Sequence, residues 1–171
     1  MEFQLLGAID SGNPSGVPQS VIEDAVSNGF INYLGTTSDV LPIIREADCM
    51  VLPSYREGIS RVLMEAASME KPIIATNVTG CREVINDGET GFLCKAKSPV
   101  DLAHKMAKII NMTEKEKVIM GQKGRVKVIE EMDLEKIIDI YDYKIAAVLG
   151  EEEGITVDLQ ELISLRKTKK I

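Results

Sequence analysis

The sequence predicts an α/β protein: a parallel sheet flanked by helices, followed by a helical C-terminal extension. Three observations carry the prediction. Short apolar runs alternate with helix-like segments up to residue 97, the order expected of successive strand–helix–strand crossovers. Two of those runs, Cys49 to Leu52 and Pro72 to Thr76, are apolar almost without interruption, as strands covered on both faces are. Beyond residue 97 the short runs give way to long amphipathic segments.

Phe3 to Ala8 reads as the first strand. The loop after it, Asp10-Ser11-Gly12-Asn13-Pro14-Ser15-Gly16, is made of turn formers. Pro18 to Ser27 is predicted helical, with Val21, Ile22, Ala25 and Val26 on one face and Gly29 as its stop. Phe30 to Leu34 is a strand ending at Gly35. Asp39 to Ala47 is a short helix that turns Leu41 and Ile44 inward, with Ile43 beside them. Cys49 to Leu52 is a strand, Ser60 to Glu70 a helix, Pro72 to Thr76 a buried strand and Gly91 to Cys94 a short one. Pro99 to Ile110, Glu114 to Glu131 and Leu134 to Leu149 follow as amphipathic helices, with Thr113 and Asp133 as caps. Gly150-Glu151-Glu152-Glu153-Gly154 is an acidic break. Thr156 to Lys170 offers a last helix with a basic end.

At 171 residues and 44% hydrophobic content the chain is long and apolar enough for one packed domain, expected over 1–150, with 151–171 as the break and a C-terminal helix or tail. Net charge is -7, which argues against nonspecific nucleic-acid binding, since phosphate backbones recruit basic surfaces. Residues 1–100 carry 13 acids and 7 bases; residues 101–171 carry 14 and 13. An anionic ligand near the first part therefore needs local donors, because the overall field repels it. No apolar run reaches the roughly 20 residues of a spanning helix, and no signal peptide is visible. Three cysteines, Cys49, Cys81 and Cys94, show no metal-ligand spacing and suggest reduced thiols in the cytoplasm. Met106, Met112, Met120 and Met132 are expected in the core, and His104, the sole histidine, on a helix surface.

In a parallel sheet, ligands bind outside the carboxyl ends of the strands, so the loops after Ala8, Leu34, Leu52 and Thr76 are the informative places. The densest is Pro53-Ser54-Tyr55-Arg56-Glu57-Gly58-Ile59-Ser60-Arg61-Val62-Leu63-Met64-Glu65-Ala66-Ala67. A strand ends, a glycine loop follows and a helix opens. The first amides of a helix lack internal partners and its dipole is positive there, a combination that suits a phosphate. Gly58 lets the backbone come close to a ligand, and Arg56 and Arg61 add charged donors. Glu57 and Glu65 offer carboxylates to sugar hydroxyls. The same spacing also fits a bland reading of Glu65: it lies off the apolar face of Val62, Leu63, Ala66 and Ala67, where helical glutamates are ordinarily just solvated.

An ordered set of motifs removes some of that ambiguity. After the apolar strand come Pro53-Ser54, Glu57-Gly58, Glu65-Ala66, Pro72-Ile73-Ile74-Ala75-Thr76, Gly80, Glu83-Val84-Ile85, Asp87-Gly88 and Gly91-Phe92-Leu93. This set resembles the C-terminal, donor-binding domain of the GT-B-fold retaining glycosyltransferases of family 4. The likeness covers roughly residues 3–150. Gly12-Asn13-Pro14-Ser15 and Gly80-Cys81-Arg82-Glu83 resemble one branch in particular.

The resemblance implies a Rossmann-like domain and a role for each matched residue. Glu57 would contact donor sugar hydroxyls as the catalytic-centre carboxylate, and Glu65 the ribose hydroxyls. The backbone of Gly58, Ile59 and Ser60 would face the diphosphate, with Arg61 beside it and Val62 against the ribose. Tyr33-Leu34-Gly35 would meet the base. A hexose-type sugar would pass from a nucleoside diphosphate, by branch resemblance UDP, to a glycan or lipid-linked acceptor, without a metal or other cofactor. The partners implied are the nucleotide-sugar donor and a separate N-terminal acceptor domain. Residence in the cytoplasm, or at the cytoplasmic face of a membrane through peripheral association, is implied as well.

Three departures bear on this. Ser60 stands where many relatives carry a second glycine, and can cap the helix. The family's first strand of this domain, with the Arg and Lys after it, has no counterpart before Phe3. The acceptor domain has none either, so the chain is expected to be inactive in isolation. Two other functions stay open: a noncatalytic interaction domain on the same scaffold, and a nucleotide-sugar 2-epimerase, which His104 is poorly placed to serve.

Overall fold

The computed structural model describes residues 1–10, 12 and 16–153, with side chains described to 148. Most of the Ser11–Ser15 loop and the expected helix over Thr156 to Lys170 lie outside the described residues. The chain packs as two compact units, Met1–Ile43 and the residues from Ile44 on, where the sequence suggests one domain over 1–150.

The first unit holds β1 (Gln4–Leu6), α1 (Gln19–Ser27) and β2 (Asn32–Gly35). The strands pair in parallel, Gln4 opposite Asn32 and Leu5 opposite Tyr33. No described side chain before Ile44 is buried. The inward face expected for α1 is only partly realised: Ile22 and Ala25 are half-buried, but Val21 and Val26 are exposed. A three-residue strand beside a nine-residue helix has too little apolar area to close a core of its own.

The division between the units falls inside α2 (Leu41–Glu46). Asp39 Oδ1 accepts from Leu41 N at 3.0 Å at its start. Of its expected inward pair, Ile44 is buried and Leu41 is 43% exposed, a correction to the sequence reading. A helix this short turns less than one full apolar stripe toward a neighbour.

The second unit is built on a parallel sheet of β3 (Met50–Leu52), β4 (Ile73–Thr76) and β5 (Gly91–Cys94), in that spatial order. β4 is central and all four of its residues are buried, so its uninterrupted apolar character follows from cover on both faces. Around Ile74 pack Ile109 and Met120, with Cys49, Val51, Phe92, Leu102, Met106 and Met112 partly buried against them. Met132 is half-buried and His104 exposed.

Helices α3 (Arg61–Ser68), α4 (Thr79–Val84), α5 (Pro99–Asn111), α6 (Glu114–Glu131) and α7 (Leu134–Glu153) complete the fold. α4 is unforeseen in the sequence reading. α7 continues to Glu153, through the glycine taken as the start of a break. The two expected caps form. Thr113 Oγ1 accepts from Glu116 N at 3.3 Å while Glu116 Oε2 accepts from Thr113 N at 2.7 Å, a reciprocal capping box. The bonds its carboxylate accepts, from Thr113 N and also from Thr113 Oγ1 at 2.7 Å, hold the Glu116 carboxyl below its usual range. Asp133 Oδ1 accepts from Glu135 N at 2.9 Å. Among the described residues no helix is long and apolar enough to cross a membrane.

α3 ends in a left-handed residue that is not glycine. Glu70 has φ 59°, and Glu70 N and Lys71 N donate to the carbonyls of Ala67 and Ala66 at 2.9 and 3.0 Å, the paired bonds of a Schellman close. Arg125 of α6 donates to the Ser68 carbonyl and lies 3.8 Å from Glu70 Oε1. A cation at a helix C-terminus opposes the negative end of the dipole. Gly121 makes this approach possible: a Cβ there would fall 1.8 Å from the Glu70 carbonyl oxygen. Gly124, one turn on, would meet nothing nearer than 3.7 Å. Gly121→Ala is therefore expected to destabilise the chain by about 1–3 kcal/mol, the usual cost of overpacking. Gly124→Ala should be neutral or stabilising by up to about 1 kcal/mol through helix propensity. Urea denaturation of both variants checks the contrast.

Candidate functional site

The parallel register sets Leu52 of β3 opposite Ala75 of β4, and Thr76 of β4 opposite Cys94 of β5. The loops after β3, β4 and β5 therefore leave from one edge, and α3, α4 and α5 begin there. The loops after β3 and β5 meet: Lys97 Nζ lies 5.6 Å from the Tyr55 ring centroid.

Within this edge the loop Pro53–Ser60 leads into α3. Ser60 takes the N-cap position with extended backbone, φ -81° and ψ 108°, and is buried. Its side chain makes no capping hydrogen bond, contrary to the expectation that it caps the helix. The first α-helical bond runs from Met64 N to Ser60 O at 3.1 Å, so the amides ahead of it have no intrahelical acceptor. Gly58 and Ile59 are exposed, Glu57 is half-buried in the loop, and Arg61 is exposed on the first turn. Val62 is half-buried, while Leu63, Ala66 and Ala67 are buried as the apolar face. Glu65 is half-buried, not fully solvated as its spacing alone allowed.

The carboxylates of Glu57 and Glu65 and the guanidinium groups of Arg56 and Arg61 have no hydrogen-bond or ion-pair partner among the described residues. Chemically the arrangement offers free amides, two exposed cations and two acceptor carboxylates on one strand–loop–helix unit. Such a set suits an anion joined to a polyol better than proton transfer by a buried acid. Among the described residues no three His, Cys, Asp or Glu side chains gather as metal ligands do.

Residues Tyr33, Leu34 and Gly35 belong to the first unit and form a separate group. Tyr33 Oη donates to Gly7 O at 2.8 Å, Gly7 N donates to Gly35 O at 2.8 Å, and Gly35 turns the chain with φ 71°. These bonds tie the carboxyl ends of β1 and β2.

Two buried cysteines flank the edge of the second unit. Burial, then the Glu57 carboxylate and then Cys94, raise the Cys81 thiol above its ordinary value. Sequence reasoning passed over α4 because Thr79-Gly80-Cys81 carries no strong helix signal. The one available hint was a glycine placed soon after a buried strand.

Comparison with known proteins identifies the family. The profile of the family "Glycosyl transferases group 1" matches residues 3–112. The chain belongs to the group 1 glycosyltransferases. Among similar proteins, the putative glycosyltransferase EpsD of Bacillus subtilis is 32% identical over 126 residues, 72% of this chain and 33% of its own length. The capsular polysaccharide biosynthesis glycosyltransferase CapM of Staphylococcus aureus is 28% identical over 90% of this chain and 40% of its own. The chain thus spans well under half of these relatives. The solved Anabaena protein HepE, in complex with UDP, superposes with a TM-score of 0.73 at 21% identity, over 88% of this chain and 41% of that one. The C-terminal domain of the group 1 protein LpcC of Francisella tularensis gives 0.57 at 26% identity, over 68% and 60%. The glycosyltransferase fold here is accordingly the GT-B C-terminal domain, parallel sheets flanked by helices with a helical extension.

Burial also governs thiol chemistry in this domain. Burial first, then Asp48, pushes the Cys49 thiol up to about 12 from 9.0. The folded state keeps that proton over a range where an unfolded thiol has lost it, so stability should fall as pH rises from 9.0 toward about 12. At pH 8, native Cys49 should alkylate at least about tenfold more slowly than in urea, and the buried Cys81 and Cys94 more slowly as well, because the thiolate is the nucleophile and burial disfavours it. Mass spectrometry of iodoacetamide-treated chain reads each site.

Proposed function

We propose that this chain is the donor-binding domain of a retaining hexosyltransferase that uses a nucleoside diphosphate sugar, with UDP as the nucleotide. The observation that carries the reading is the pair of half-buried carboxylates, Glu57 and Glu65, without partners among the described residues, the one before and the other after the N-terminus of α3 along the chain. Glu57 orients the donor sugar through its hydroxyls at the centre of the reaction, and Glu65 holds the ribose. The amides from Gly58 to Ser60, with Arg61 and the helix dipole, take the negative charge that builds on the leaving diphosphate. Val62 packs on the ribose. The reaction in this reading needs no metal. Tyr33-Leu34-Gly35 keeps the base-contacting role implied by the resemblance. Support for the nucleotide comes from HepE, solved with UDP and with UDP-glucose. Support for a lipid-linked acceptor comes from a Campylobacter jejuni relative, 31% identical over 108 residues, whose name gives a diphospho-undecaprenol acceptor. A further domain supplies the acceptor side, so this chain alone binds donor without appreciable transfer, at the cytoplasmic side of the membrane.

The test is a thermal-melt titration with UDP-, GDP- and ADP-sugars. Ligand at about 100 times its Kd stabilises a native state by about 2.7 kcal/mol, a shift of several degrees. A UDP-sugar should raise Tm in the wild-type chain and in Glu89→Ala, a control on the exposed 86–89 stretch, and should fail to do so in Glu65→Ala. Equal shifts in all three would remove Glu65 from the site. A noncatalytic domain would show no response to any of the panel.

A further inference from the structure

We propose that Gly80 is a positioning residue for Glu57: lacking a side chain, it lets the first turn of α4 seat against the Glu57–Gly58 backbone and fixes the loop that carries the carboxylate. The inference rests on the proposed donor site and adds to it a residue outside the strand–loop–helix unit.

A Cβ on residue 80 would lie 1.6 Å from the Gly58 carbonyl oxygen, 2.3 Å from its carbon and 2.8 Å from the Glu57 carbonyl oxygen. All three are backbone atoms, so no change of rotamer relieves the clash. One of the two partners must move. The α4 side is anchored. Asn77 N donates to Cys94 O at 2.7 Å and Val78 N to Thr76 O at 2.8 Å, and Cys81 and Val84 are buried in the core. The loop side is not. Tyr55, Arg56, Gly58 and Ile59 are exposed, and the loop's one internal side-chain bond, Ser54 Oγ to Arg56 O, is long at 3.4 Å. Strain introduced at residue 80 therefore displaces the loop, by roughly an ångström or more, a misplacement that can cost about 100-fold at a reacting centre. The same closeness lets the Glu57 charge add to burial in raising the Cys81 thiol at the start of α4. On its other side Gly58 is open: a Cβ built there meets nothing within 4 Å, so the loop is held from α4 and free toward a ligand.

The experiment compares Gly80→Ala with Gly124→Ala, whose Cβ makes only ordinary contacts. Two-dimensional amide spectra without ligand should show Glu57, Gly58 and Ile59 moved in Gly80→Ala, with Ile74 and Ala75 of the core unmoved. UDP-glucose affinity should fall about 10- to 100-fold, while UDP, which shares the diphosphate contacts of the 58–60 amides but lacks the sugar contact to Glu57, should lose clearly less. Adding Glu57→Gln to Gly80→Ala should cost little more, since both act through one group. Unmoved 57–59 amides overturn the inference, as does global unfolding of Gly80→Ala, which would make the glycine a requirement of the fold alone. Moved amides with equal losses for UDP and UDP-glucose also overturn it. A wild-type chain with no response to UDP-glucose counts against the donor reading. The ligand-free spectra still decide whether Gly80 sets the loop.

Discussion

The second unit depends on one constraint: β4 must be buried on both faces and paired on both edges. Its four residues are inaccessible and its neighbours run parallel to it. Parallel neighbours require crossovers, and crossovers place helices on the faces and loops at one end. The candidate site is a by-product of that geometry. The loop after β3 and the helix after β4 emerge side by side because the strands before them are in register, and only a residue without a side chain at position 80 lets them close. Packing in the core and geometry at the rim are one problem.

Electrostatics in the rim follow a different logic. The first hundred residues carry excess acid, and Glu57 and Glu65 add to it where an anion is proposed to bind. Attraction must come from short-range donors: unspent helix amides and the two arginines. Carboxylates beside a diphosphate are tolerable when neutral hydroxyls lie between them, which is a reason for such a site to prefer a nucleotide joined to a sugar over a bare nucleotide or free phosphate.

Much of this was legible in the residues. Uninterrupted apolarity gave away β4 and Thr113 gave away the start of α6, because burial and capping leave local signatures, although Val118, Ile119, Val126 and Ile129 of α6 are exposed. The loop after Leu52 was legible for the same reason: strand, glycine and helix follow one another within a few residues. What stayed hidden depends on contacts distant in sequence. Leu41 and Val21 look inward by pattern, yet both are exposed among the described residues. α4 is six residues of weak propensity, held by the burial of Cys81 and Val84. Ser60 has the chemistry of a cap, but its side chain makes no capping bond in the packed turn. The glycine at 80 announces nothing until the backbone it touches, more than twenty positions away, is known.

The close of α3 has a consequence for which substitutions this domain tolerates. Its last turn is completed by a glutamate in a glycine-like conformation, a bare position on α6 and an arginine one turn further along. None of the three makes sense alone. A bulkier residue at 121 would push away the very carbonyl that Arg125's helix leans on, and loss of the arginine would leave the exit from α3 without its counter-charge. Positions 70, 121 and 125 thus act as one packing unit, and it is through this unit that α6 bears on the end of the helix carrying Glu65.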